Sequence, residues 1–220
     1  DPTRILRAVR FEKRLKFSID TRTLELLLEA RPLIERLSGE RIRHELNHIF
    51  LDPSADKIMQ RLQELELLKF IHPSLGWDAW LSMQVKWLKT LQPADLQDWG
   101  KNYDFDELLR KLPYMVWFLR LGEDDLNQVI RRLKLSLVWA REIRAANHLM
   151  RTCADYQGDA PSRITNFLDE FPLIAIYLVK QVQSDEEVGQ MLDSYLTNWR
   201  FLMPGIDGHA LRNLGIPPGL

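Results

Sequence analysis

Arginine recurs at every third position in the first eleven residues of the chain, DPTRILRAVRF. Asp1 is a good N-cap residue, and Pro2 suits the first helical position because the N–H group that proline lacks would have had no partner there. On a helix, the guanidinium groups of Arg4, Arg7 and Arg10 fall within one arc, and the apolar residues form a separate stripe. The sequence therefore predicts an opening helix that packs on one side and presents cations on another.

The stretch HELNH, residues 44–48, matches the H-E-x-x-H pattern of zinc hydrolases. On a helix, His44 and His48 lie one turn apart and could share a zinc ion, with Glu45 as the general base. The longer H-E-x-x-H-x-x-G-x-x-H pattern fails, since Leu51 stands where the glycine belongs. The surrounding GERIRHELNHIF also fits a plain amphipathic helix, so a zinc hydrolase remains only an alternative interpretation.

A pair of carboxylates in DFD, Asp104 and Asp106, has the spacing of a D-x-D metal site. The pair opens a predicted helix, where Asp104 can cap the N-terminus and Glu107, three residues later, completes a capping box. We therefore interpret DFD as a helix start.

Basic residues are concentrated between positions 131 and 151, although the formal net charge of the whole chain is only −1. Glu142 is the one acidic residue in this stretch. Such a cluster is a candidate surface for a nucleic-acid backbone, and its alternative is an ordinary solvated helix face. The cluster comprises Arg131, Arg132, Lys134, Arg141, Arg144 and Arg151.

The composition is typical of a globular protein, with 45% hydrophobic and 28% charged residues in 220. A single cysteine, Cys153, excludes an internal disulfide framework and favours a reducing compartment, so we expect a cytoplasmic protein. No stretch approaches the roughly 18 consecutive apolar residues of a membrane span, so we expect no membrane partner.

Hydrophobic spacing follows the helical period along nearly the whole chain, which predicts an all-α protein of many helices joined by short connections. Asp20, Ser38 and Asp104 mark helix starts as capping residues. The predicted helices cover residues 3–16, 20–30, 39–51, 55–69, 77–91, 105–121, 123–134, 136–152, 161–170, 172–183, 186–200 and 207–213.

Two long stretches, DPTRILRAVRF and KFSIDTRTLELLLEARPLIERLSGERIRHEL, closely resemble the start of the helical part of class II tRNA nucleotidyltransferases and bacterial poly(A) polymerases. In that family an E-D-x-x-R-x-x-R-x-x-R-F helix follows the catalytic head, and Asp1, Arg4, Arg7, Arg10 and Phe11 match it. The end of the chain, PGIDGHALRNLGIPPGL, is similar to the tail segment of the family. The resemblance divides the chain into a neck (1–75), a body (76–155) and an RNA-binding tail (156–220).

The resemblance implies a template-independent RNA nucleotidyltransferase that adds CMP or AMP to the 3′ end of tRNA or another RNA. It implies that Asp1 and Arg4 recognise the nucleotide base. It implies that Arg7 and Arg10 support the neck or the phosphates. ATP and CTP are the implied substrates, and Mg²⁺ is implied in the catalytic head. The residues that resemble the neck-stabilising helix of the family are Glu40, Arg41 and Glu45.

The D-x-D head that the family carries on a β-sheet has no counterpart in this sequence, so we expect the chain to begin where a head ends. Residues 1–220 alone should then transfer no nucleotide. An alternative from another class is a non-catalytic helical module that binds RNA or protein.

Overall fold

The computed structural model describes residues 1–96, 100–101 and 103–202, and within these ranges the chain forms eleven α-helices and no strand. Short 3₁₀ turns connect several of them. The helices are α1 (Thr3–Arg14), α2 (Thr21–Ala30), α3 (Gly39–Leu51), α4 (Ala55–Glu64), α5 (Ala79–Leu88), α6 (Phe105–Phe118), α7 (Glu123–Arg132), α8 (Leu137–Thr152), α9 (Pro161–Leu168), α10 (Leu173–Val182) and α11 (Glu186–Thr197).

The all-α prediction is confirmed, and eleven of the predicted helices are found at their expected places. The predicted helix at 207–213 lies outside the described residues. The predicted capping residues also act as expected: Asp20 accepts the N–H of Thr23 at 3.0 Å, and Ser38 accepts the N–H of Arg41 at 3.4 Å. Capping side chains therefore set where these helices begin.

Eight helices end earlier than predicted, and three of them, α1, α4 and α7, are followed by a left-handed residue that is not glycine. Lys16, Glu66 and Lys134 have φ of 55°, 55° and 50°. After each of them, the next N–H donates to a carbonyl five residues back; Phe17 N, for example, lies 3.0 Å from Glu12 O. This hydrogen bond defines a Schellman motif, which stops α1, α4 and α7.

Buried apolar residues form one continuous cluster that runs from Ile5 in α1 to Leu196 in α11. In α1, Ile5, Leu6 and Val9 face this cluster, as the predicted apolar stripe requires. Helix α1 packs on α3 and α4, and α3 in turn packs on α6. The division into neck, body and tail remains a prediction.

An aromatic cluster joins α3 to α6. The Phe50 ring lies 5.0 Å from the Tyr114 ring and 5.8 Å from the Trp117 ring, and the Trp117 ring lies 6.2 Å from that of Trp77. The Tyr114 hydroxyl donates to Asn47 Oδ1 at 2.6 Å, so the buried phenol is paired. Burial also raises the pKa of Tyr114, which keeps the hydroxyl a donor.

The first turn of α3 lies directly against the end of α7. A β-carbon at Gly39 would sit 2.0 Å from the carbonyl oxygen of Arg132, so only glycine fits there without moving the backbone. The Arg132 guanidinium spans the same junction and donates to Leu37 O at 2.8 Å and to Ile34 O at 3.2 Å. The position of α3 is therefore fixed at its N-terminal end.

A buried ion pair joins α6 to α8. Lys111 and Glu142 are 3% and 8% exposed, and the Lys111 ammonium donates to the Glu142 carboxylate. Because either charge without its partner would be buried and uncompensated, the two groups stabilise the protein only together.

We expect Lys111→Met to lower the free energy of unfolding by about 3–5 kcal/mol, because it leaves the Glu142 carboxylate buried without a cation. Lys111→Met with Glu142→Leu should recover most of that loss, since no buried charge remains. Urea unfolding of the two variants and the wild type measures both values. A double variant no more stable than the single one would contradict a role for the charge imbalance.

Candidate nucleic-acid interface

Helix α1 places Arg4, Arg7 and Arg10 at different depths. The side chains of Arg7 and Arg10 are 48% and 11% exposed, and Arg4 is exposed at the surface. In the described part of the chain, no hydrogen bond or ion pair engages the Arg4 guanidinium. Arg10 lies against the Phe11 ring, with 4.6 Å between Cζ and the ring centroid. The outermost guanidinium is therefore available to a ligand, and the innermost is part of the packing.

Glu45 of α3 holds the two inner arginines. Its side chain is 3% exposed; Oε1 accepts from Arg7 Nε at 2.7 Å, and Oε2 lies 4.0 Å from Arg10 Nη2. Neither Glu45 Oε2 nor Arg10 Nε has a hydrogen-bond partner among the described residues. A buried carboxylate between two cations thus attaches α1 to α3 mainly through charge, with one tight hydrogen bond.

Asp1 caps α1 and also contacts α3. Its Oδ1 accepts the Thr3 N–H at 3.0 Å and the Thr3 hydroxyl at 2.9 Å, and its Oδ2 accepts from Arg41 Nη2 at 2.7 Å. Pro2 has helical dihedral angles, as the sequence predicts. A carboxylate has about four acceptor positions, so one position on Oδ2 remains for a ligand.

The three residues predicted to stabilise the neck divide into two groups. Arg41 and Glu45 contact α1 directly, through Asp1 and through the two inner arginines. Glu40 instead pairs with Lys134, 2.6 Å away, and the hydrogen bond from Lys134 lowers the pKa of Glu40 to about 2. Glu40 therefore links α3 to the residues that follow α7, and among the described residues it makes no hydrogen bond or ion pair with α1.

Two of the six residues in the predicted basic cluster are committed to other parts of the chain. Arg132 donates to backbone carbonyls at the Gly39 junction, and Lys134 pairs with Glu40. The other four are exposed: Arg131, Arg141, Arg144 and Arg151. RNA contact stays a prediction for all six residues.

Three of the exposed arginines and one histidine form a stripe along α8. At about 100° per residue, Arg141, Arg144, His148 and Arg151 fall within an arc of about 80° and extend over about 15 Å of helix. The His148 ring stacks on Phe171, with 5.8 Å between the ring centroids. We call these four residues the α8 stripe. His148 was not among the residues predicted to bind RNA, although its spacing from Arg144 and Arg151 was a usable signal.

The metal-binding patterns of the sequence have other roles in the structure. Asp104 Oδ1 caps α6 by accepting the Asp106 N–H at 3.0 Å, and the Glu107 carboxylate accepts the indole N–H of Trp139 at 2.9 Å. Glu45 is engaged by α1, so it is not free to act as a general base beside His44 and His48. Over the described ranges, no group of three or more His, Cys, Asp or Glu residues could hold a metal ion. The described residues therefore offer no Mg²⁺ site.

None of the described helices is long and apolar enough to cross a membrane.

Residues 16–77 match a family described as the probable RNA and SrmB-binding site of polymerase A. The whole chain aligns, at 29% identity over 236 positions, with an A-adding tRNA nucleotidyltransferase of Geobacter sulfurreducens, and it covers 26% of that protein. The chain therefore spans about a quarter of the length of this relative.

Two solved structures share the fold. The Thermotoga maritima CCA-adding enzyme complexed with tRNA matches 100% of this chain at a TM-score of 0.68 and 24% identity, and the match covers 53% of that enzyme chain. A CCA-adding enzyme complexed with CTP gives the same TM-score and identity over 52% of its chain.

The helical array therefore shares the fold of about half of each of these two enzyme chains. The chain is homologous along its whole length to tRNA nucleotidyltransferases, which confirms the resemblance inferred from the sequence.

We expect Glu45→Ala to lower the free energy of unfolding by about 2–3 kcal/mol. The loss should be smaller than the roughly 3–5 kcal/mol typical of a broken buried pair, because Arg7 is half exposed. Glu40→Ala is the matched control on the same helix and should change stability little, since its pair with Lys134 is exposed. Equal losses in the two variants, measured by urea unfolding, would show that Glu45 does not anchor α1.

Proposed function

We propose that this chain is the nucleotide- and RNA-recognising part of a template-independent RNA nucleotidyltransferase that adds CMP or AMP to the 3′ end of tRNA or another RNA. The observation that carries the proposal is the anchored first helix. Asp1 and Arg4 lie three residues apart at the start of α1, and Arg41 and Glu45 of α3 hold that helix in place. The homology to tRNA nucleotidyltransferases over the whole chain supports it.

The chemistry of the bases explains why a carboxylate beside a guanidinium would select C and A. Cytosine presents an amino donor beside the N3 acceptor, and adenine presents its N6 amino group beside N1. Asp1 can accept from the amino group through the open position on Oδ2, and Arg4 can donate to the ring nitrogen. Uracil and guanine present a carbonyl beside an N–H, so a carbonyl oxygen would face the carboxylate.

The α8 stripe is the surface that we propose for the RNA backbone. Its cations are exposed, and about 15 Å of helix spans several phosphates of a strand. Arg144 donates to Asn127 Oδ1 at 2.8 Å, which orders the side chain without neutralising its charge. Phosphate contacts of this kind position an RNA without reading its sequence.

The transfer chemistry itself, with ATP and CTP as substrates and Mg²⁺ as the metal, would belong to a D-x-D head that these 220 residues do not contain. We therefore expect the chain alone to be inactive. The chain has a single cysteine, Cys153, and so no internal disulfide, which favours the cytoplasmic location that we propose.

Arg4→Ala in the full-length protein should weaken the preference for CTP and ATP over UTP and GTP. Losing a charged hydrogen bond of about 1.5–3 kcal/mol corresponds to a roughly 10- to 150-fold lower kcat/KM for the correct nucleotides. Steady-state kinetics with the four nucleotides measures the change. Arg22→Ala, which removes an exposed arginine of α2, is the control and should leave the preference intact. An unchanged preference in Arg4→Ala would remove Arg4 from base reading.

The chain should bind tRNA with a strong dependence on salt. If four to six phosphates are engaged, the slope of log K against log[salt] should be roughly −3 to −5. Reversing Arg141 and Arg144 to Glu should flatten the slope and leave the helical content unchanged, since exposed arginines contribute little to stability. Titration of labelled tRNA at several salt concentrations measures both quantities.

The matched control for that experiment reverses two exposed cations elsewhere, Arg22 and Lys86, so that the net charge changes equally. This control should keep the slope of the wild type. If both double variants lose binding to the same extent, the effect comes from net charge, and the α8 stripe is not the binding surface.

A further inference from the structure

Two histidines of α3 point to solvent side by side. His44 and His48 are both exposed, and their Nε2 atoms are 3.2 Å apart. The rings meet edge to face, with 4.6 Å between their centroids. Within the HELNH stretch, Glu45 is buried and holds α1, whereas the two histidines are exposed.

The separation of the two nitrogens matches the bite of a transition-metal ion. Zinc binds imidazole nitrogen at about 2.0–2.1 Å, so two nitrogens at adjacent corners of a tetrahedron lie about 3.3–3.4 Å apart. At the right angles of a square-planar ion of similar bond length, they lie about 2.8–3.0 Å apart. The observed 3.2 Å falls between these two values, so the spacing of the two nitrogens suits such an ion.

We propose that His44 and His48 form a two-nitrogen surface site for a borderline divalent ion of the first transition row, namely Zn²⁺, Ni²⁺ or Cu²⁺. Neutral imidazole suits these ions, whereas Mg²⁺ prefers oxygen ligands and keeps its waters. No third His, Cys, Asp or Glu joins the pair within the described ranges, so water completes the coordination.

The site is structural and separate from the proposed nucleotidyl transfer. A metal ion bound to positions i and i+4 closes one turn of α3, the helix that also carries Arg41 and Glu45. Because the folded helix presents both nitrogens at the bite distance and the unfolded chain does not, binding favours the folded state. The ion would therefore stiffen the helix on which the position of α1 depends.

The test is the thermal unfolding of residues 1–220 with NiCl₂ or ZnCl₂ alone. At a metal concentration about ten times the Kd, the Tm should rise by about 3–6 °C, and EDTA should reverse the rise. His44→Ala with His48→Ala should abolish the shift. His148→Ala, which removes an exposed histidine of the α8 stripe, should keep it, and MgCl₂ should give none.

Cu²⁺ electron paramagnetic resonance gives a second measurement that does not depend on stability. The wild type should show hyperfine splitting from two equivalent imidazole nitrogens, and the single variant His48→Asn should lose it. Far-UV circular dichroism checks that each variant keeps its helices. The proposal is overturned if the wild type shows no metal-dependent shift, or if the double variant keeps both the shift and the splitting.

Discussion

The buried carboxylate of Glu45 is the interaction on which the candidate site depends. It lies between α3 and α1, and it is the only acidic group that reaches both Arg7 and Arg10 among the described residues. A charge in this position is costly unless cations surround it, so α1 must stay docked for the carboxylate to be compensated. The docking of α1 keeps Asp1 paired with Arg41 and leaves Arg4 at the surface. The exposed pair that we propose for base reading, Asp1 and Arg4, thus depends on a contact that lies away from the ligand.

Helix α3 connects this contact to the rest of the molecule. One side of it holds α1, the aromatic cluster around Phe50 and Tyr114 joins it to α6, and Gly39 meets the end of α7 with no space for a side chain. The Lys111–Glu142 ion pair connects α6 to α8, the helix that carries the α8 stripe. The two surfaces that we assign to nucleotide and to RNA are therefore positioned by one chain of packed helices.

Helix starts were predictable from the sequence because single side chains determine them, as at Asp20, Ser38 and Asp104. The ends of α1, α4 and α7 were not, because the Schellman motifs at Lys16, Glu66 and Lys134 use residues that carry no glycine signal. The opening arginines were found from their spacing and from the family resemblance. The hydrogen bonds from Arg132 to backbone carbonyls were not predictable, since the acceptors are almost a hundred positions away in the chain.

The aromatic cluster between α3 and α6 has an optical consequence. Trp77 and Trp117 are buried with their ring centroids 6.2 Å apart, and Trp117 also meets Phe50 of α3. Rings held rigidly at such distances in an asymmetric environment give near-ultraviolet circular dichroism, which is lost when fixed packing is lost. The chain therefore carries an intrinsic chromophore at the contact between α3 and α6. Its near-ultraviolet signal reports on the packing of these two helices without an attached dye.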